Sequence, residues 1–240
     1  MNLFADAMAW LFAPERYTGA DSLQLRIGQH LFFTFVSVII VAVVAIPLGY
    51  YIGHTGKGRN LAIGISGAAR AIPSFGLILL LVLVIGVTQK PLAAFVAFVL
   101  LGIPSVLAGA YSGLEAIDRR VIDSARAVGM TEWQILWKVE VPLGLPLLIG
   151  GLRSATLQIV ATVTLAAYIG LGGLGGYIIA GLALRRFDQM LGAALVIVAL
   201  ALVLDGLFAL AERLVVPRGV SAGRTTDVRT RSPRARAVAE

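Results

Sequence analysis

Apolar residues run through this chain in five blocks, each near the length of about 20 residues that an α-helix needs to cross a bilayer. They cover residues 31–52, 71–87, 92–111, 145–169 and 190–211. The first block has no charge, the fourth contains Arg153 and the fifth Asp205. Residues 61–69 extend the second block on one side, with Arg70 near the interface. Pro47, Pro73 and Pro104 fall inside the first three blocks, and each predicts a kink whose freed carbonyl a neighbouring helix takes up. The pattern predicts an all-α, polytopic membrane helix bundle of about five transmembrane helices.

Between the third and fourth blocks the period changes. Residues 112–144 read SGLEAIDRRVIDSARAVGMTEWQILWKVEVPLG. Leu114, Ile117, Val121, Ile122, Ala125 and Val128 recur at helical spacing, with Glu115, Asp118, Arg119, Asp123 and Arg126 over the remaining surface. Gly129 sits where a left-handed residue ends a helix. Thr131 and Gln134 form a capping box that starts a second helix, with Trp133, Leu136 and Trp137 as its apolar face and Pro142 as its stop. Two short amphipathic helices joined at a glycine suit the docking of a partner protein. They equally suit a helix pair resting on lipid headgroups.

Composition narrows the class. Hydrophobic residues make up 58% of the chain and charged residues 14%, with a mean hydropathy of +0.89. A soluble domain carries about 25% charged residues, so a water-soluble enzyme is excluded. The net charge of +7 lies largely in residues 218–240, where six arginines face only Asp227 and Glu240. A basic tail on an apolar chain argues against a nucleic-acid-binding domain. There is no cysteine, and the two histidines, His30 and His54, are too few for a histidine metal cluster. With the C-terminus inside, thirteen Lys and Arg of the loops and tail face the cytoplasm and five face outward. The expected orientation is N-terminus out, C-terminus in. Residues 1–13 lack a basic start and contain Asp6, so they read as a short interfacial helix rather than a signal peptide. The expected divisions are an external segment 1–26, a transmembrane domain 27–212 and a basic, disordered cytoplasmic tail 213–240.

The loop resembles the coupling loop of binding-protein-dependent ABC transporter permeases. That signature is EAA, three residues, Gly, nine residues, then I-x-L-P. Here Asp123, Ser124 and Ala125 stand at EAA, followed by Arg126, Gly129 at the glycine, and Val139, Glu140, Val141 and Pro142 at I-x-L-P. Asp for Glu and Ser for Ala depart from the pattern conservatively. Residues 150–178 resemble the osmoprotectant branch of that family, the permeases for glycine betaine, choline and carnitine. The likeness lies in Arg153, Ala155 and Thr156 and in the end Ala166, Ala167, Ile169, Gly170, Gly172, Gly173, Leu174 and Gly175. Methionine-type permeases share the Gly-rich end and resemble the preceding helix less. The likeness covers residues 28–212.

The resemblance implies a type I importer permease fold with a cytoplasmic coupling-helix loop, in a bacterial cell membrane. It implies that the loop sits in a groove on a separate cytoplasmic ATPase, that an external binding protein delivers solute, and that a second permease subunit, identical or similar, completes the pore. ATP and Mg²⁺ would be bound by that ATPase, with no cofactor in this chain. In agreement, residues 53–58 read GHTGKG, which lacks the spacing and the Ser or Thr of a phosphate-binding loop. Rival readings are a permease of the same class for another small solute such as an amino acid, an ion-driven secondary carrier, and a membrane scaffold.

Other candidates come from polar residues inside the blocks. Ser154, Gln158 and Thr162 form one stripe on the fourth helix, fitting a translocation path or hydrogen bonds between helices. Arg153 and Asp205 both lie about 12 Å from the cytoplasmic ends of their helices at 1.5 Å per residue. That permits a buried ion pair, structural or part of a proton relay. Gly170, Gly172, Gly173 and Gly175 fit an outer gate, a docking surface or a plain turn. Glycines four apart, such as Gly109 and Gly113, permit close helix contact.

Overall fold

In the computed structural model, which describes residues 2–215, the chain is helical, with no strand among the described residues. Ten α-helices follow in order: α1 (Leu3–Phe12), α2 (Leu23–Thr55), α3 (Arg59–Ala71), α4 (Ser74–Ile85), α5 (Lys90–Glu115), α6 (Arg119–Ala127), α7 (Glu132–Ile135), α8 (Val141–Ala166), α9 (Gly175–Ala183) and α10 (Phe187–Val215). Four helical stretches are long and apolar enough to cross a membrane: α2, α5 with the turn before it, α7 through α8, and α10. The fifth expected crossing is the pair α3 and α4, bent by 92°.

That bend corrects the expectation of one extended second helix. Pro73 lies between the helices rather than inside one. Its ring disfavours helical backbone at the residue before it, and Ile72 is extended with φ −74° and ψ 126°. Pro47 and Pro104 do lie inside α2 and α5. Helix α2 begins at Leu23 and runs through residue 26 without a break. The helix expected in residues 1–13 forms as α1, capped by the Asn2 side chain. It packs on α10, with Ala7 and Trp10 buried and the Trp10 ring laid over Gly192. From residue 216 on, the tail with its six arginines lies outside the described residues.

Helix α5 is the centre of the bundle, held between α2 and α8. Lipid tails are as apolar as side chains, so close van der Waals packing has to hold membrane helices together. Glycines supply it on both faces of α5. Toward α8, Gly109 and Gly113 meet Gly151 and Gly144, so near that a Cβ at Gly109 would lie 2.5 Å from the Leu147 carbonyl oxygen. A Cβ at Gly113 would lie 2.7 Å from that of Gly144. Toward α2, a Cβ at Gly53 would lie 2.8 Å from the Tyr111 carbonyl oxygen. The core around this seam includes Val41, Ala45, Phe98, Val106, Ile159 and Val163. Phe32, Phe35, Ile39 and Val43 on α2, and Val198, Leu202 and Val203 on α10, stay exposed, as a lipid-facing belt would.

Candidate functional site

The loop between α5 and α8 is built as its capping residues dictate. Helix α5 runs on to Glu115 and takes up Leu114, so the amphipathic helix is shorter than the spacing predicts and starts at Arg119. Asp118 caps α6, its carboxylate accepting from the Arg120 amide at 2.9 Å. The helix closes on Gly129 at φ +84°. The Gly129 amide donates to the Arg126 carbonyl and the Met130 amide to that of Ala125, which satisfies two orphan carbonyls. Thr131 and Gln134 then exchange the expected capping-box bonds at 3.4 and 3.0 Å.

Pro142 corrects a second expectation. It does not stop the helix. Residues Leu136–Glu140 form a π-helical turn, and the Val141 amide reaches back to the Leu136 carbonyl. The wider turn precedes the proline in the first turn of α8 and lets the chain pass where its missing N–H and its ring would break an α-helix. The π turn also shifts the helical register. Ile135, Leu136 and Glu140 point inward, whereas Trp133 and Trp137, expected on the apolar face, are 69% and 48% exposed and stack edge to face.

Helix α6 buries only Ala125. Asp123, Ser124 and Arg126 are exposed beside the apolar Val121 and Val128, a mixed surface fit to be covered by another protein. Arg126 fixes the turn between α6 and α7. Its Nε and Nη2 donate to the two Glu132 oxygens at 2.8 and 3.1 Å, and Asp123 lies 3.5 Å from its Nη1. The hydrogen bonds to Glu132 raise the Arg126 guanidinium above its usual range.

Sequence reasoning missed the residues beneath this loop. His54, in the last turn of α2, donates from Nδ1 to Glu140 Oε2 at 2.6 Å, and its Nε2 lies 3.7 Å from Glu132 Oε2. Arg59 pairs with Glu115 at 3.0 Å. His54 and Glu140 are 86 residues apart, and no local pattern pairs them.

At the opposite end, Gly170, Gly172 and Gly173 all have positive φ. The turn is clamped rather than loose: the Gly173 amide donates to Gln29 Oε1 at 3.0 Å, and Arg26 donates to the same oxygen. Any Cβ at Gly172 would lie 2.6 Å from that oxygen. Gly175 opens α9 hard against the Thr164 carbonyl. Arg153 and Asp205 meet across α8 and α10 through two hydrogen bonds of 2.5 and 2.6 Å, and the pair is half-exposed on the bundle surface rather than buried. The polar stripe on α8 does not reach one surface. Ser154 is exposed and Gln158 half-buried, but Thr162 is buried with its hydroxyl donating to the Gln158 carbonyl.

A bundle of membrane-length apolar helices with a capped helix pair hung from one end marks a multi-pass membrane protein. The chain belongs to the family of inner membrane components of binding-protein-dependent transport systems, whose pattern matches residues 45–218. The glycine betaine/carnitine/choline transport system permease protein of Bacillus subtilis is 32% identical over 203 residues, covering 85% of this chain and 93% of that one. An osmoprotectant import permease protein of Salmonella typhimurium is 32% identical over 198 residues, covering 80% and 91%. Among solved structures, an inward-facing methionine ABC transporter aligns with a TM-score of 0.71 at 22% identity, covering 88% of this chain and 98% of that one, which establishes the shared fold.

Proposed function

We propose that this chain is the permease subunit of an ATP-driven importer for osmoprotectants such as glycine betaine, choline or carnitine. The observation that carries the substrate class is the 32% identity to the glycine betaine/carnitine/choline permease across 93% of that protein. Helix α6, with Asp123, Ser124, Ala125 and Arg126, together with Gly129 and the Pro142 turn, docks a cytoplasmic ATPase that binds the ATP and Mg²⁺. A binding protein delivers solute at the Gly170–Gly175 end, which faces outward with the N-terminus, and a second permease subunit completes the path. Ser154 and Gln158, the open part of the α8 stripe, line that path. Thr162, buried and bonded within its own helix, supports it. The glycine turn acts in the outer gate through its clamp on Arg26 and Gln29. When the ATPases close, α6 carries the motion into the bundle as a rigid element.

Reconstitution with ATPase and binding-protein partners is expected to give ATP- and binding-protein-dependent uptake of labelled glycine betaine, competed by choline or carnitine and not by methionine. Uptake driven by an ion gradient alone would overturn the proposal. ATP-dependent uptake of an amino acid instead would retain the class and replace the solute. Docking is read separately. A Ser124→Cys variant, in a chain with no other cysteine, is expected to crosslink to a cysteine in the ATPase groove. No crosslink at any position from 123 to 129 would remove α6 as the docking element.

A further inference from the structure

Helix α6 is weakly packed for an element that has to transmit a displacement. Only Ala125 is buried, and between α6 and the ends of α2 and α5 lies a cavity of about 440 Å³, bordered by Gly53, His54, Arg59, Glu115, Arg126 and Glu140. A displacement of α6 is therefore not passed on by apolar contact alone. A chain of polar contacts runs from α6 inward. Arg126, in the last turn of α6, grips Glu132 with two N–H donors, and Glu132 faces His54 Nε2 at 3.7 Å. His54 in turn holds Glu140, which is 6% exposed, at 2.6 Å.

We propose that His54 is the junction through which displacement of α6 passes into the body of the bundle, linking the Arg126–Glu132 pair to Glu140 and to α2. The role deepens the ATPase-coupling reading and rests on it. Two features of the surroundings fit a junction. His54 follows Gly53, whose backbone is jammed against α5 at Tyr111 and Leu114, so movement of the end of α2 reaches the central helix directly. Glu140 closes the π turn just before Pro142, and a π turn is a stretch where a helix can change its hydrogen-bond register without unfolding. A buried carboxylate also needs a partner, since leaving it unpaired is strongly unfavourable. Glu140 therefore binds His54 to the turn. Arg59 and Glu115, on the other side of the cavity, pair with each other and close that wall. His54 is a positioning residue, with no contact to solute or ATP in this scheme.

The test is the ratio of glycine betaine imported to ATP hydrolysed in the reconstituted full transporter. His54→Leu is expected to lower that ratio by at least about threefold, within the range that residues of a coupling network command. The Ser124→Cys crosslink to the ATPase should persist in that background. His54→Lys, which again offers Glu140 an N–H donor, should recover most of the ratio, a rescue that simple space-filling would not produce. Glu132→Gln, at an exposed site that folding tolerates, should lower the ratio as well. A normal ratio in either His54→Leu or Glu132→Gln would overturn the junction. So would a His54→Lys variant as uncoupled as His54→Leu. Absence of ATP-driven uptake by the unaltered chain would instead overturn the transport function, and this role with it.

Discussion

Gly113→Ala and Gly109→Ala are expected to destabilise the protein, although alanine is the better helix former. In a helix interior the exchange should stabilise by about 0.8–1.0 kcal/mol. At these positions the new Cβ meets backbone, the Gly144 carbonyl oxygen at 2.7 Å and the Leu147 carbonyl oxygen at 2.5 Å. Backbone of a packed helix cannot rotate away as a side chain can, so α5 and α8 must separate. Overpacking of this kind costs about 1–3 kcal/mol, more than the propensity gain, and the sign reverses. Gly206 on α10 has no neighbouring atom within 4 Å of the same construction, so Gly206→Ala should be neutral or stabilising. Thermal unfolding of the detergent-purified variants reads the contrast. Equal midpoints for Gly113→Ala and Gly206→Ala would show that the α5–α8 seam is not close-packed.

The second large effect is expected at Arg153 and Asp205. Asp205→Leu leaves the Arg153 guanidinium without its two acceptors inside a bilayer, and Arg153→Leu strands the carboxylate. Each single variant should yield little folded protein. The double variant Arg153→Leu/Asp205→Leu should fold better than either, because removing both members of a pair avoids the unpaired charge that makes removing one so unfavourable. It should also retain ATP-driven uptake, since a structural pair has no proton to carry. Recovery of folding with complete loss of uptake would point to a proton relay and reopen the secondary-carrier reading. A double variant as poorly folded as the singles would show that the pair is not a closed unit.

The two cases differ in how they were read from sequence. Equal depth on antiparallel helices placed Arg153 opposite Asp205, because a charge inside an apolar block needs a partner and few were available. Gly109 and Gly113 showed a spacing that permits contact but not the face they would meet. Gly144 and Gly151, which complete the seam, carry no signal until α8 is laid against α5. The loop shows the same division. Asp118, Gly129, Thr131 and Gln134 act on backbone groups within three or four residues of themselves, so the caps were legible. Pro142 reads as a stop in the sequence, yet a π turn upstream of it relieves the clash, and nothing local announces that turn. Trp133 and Trp137 share one exposed face, while the neighbouring Ile135 and Leu136 turn inward.

Hydrophobic block length, loop charge and local capping chemistry depend only on neighbouring residues and on the solvent on either side. They establish a polytopic helical membrane protein with a paired-helix loop before any helix is placed against another. The glycine seam, the clamp of Gln29 on Gly173 and the contact of His54 with Glu140 join groups up to 144 residues apart. Such contacts arise from which faces pack and in what register. Many pairings of apolar helices satisfy the same hydrophobic pattern, so only the tertiary structure selects among them.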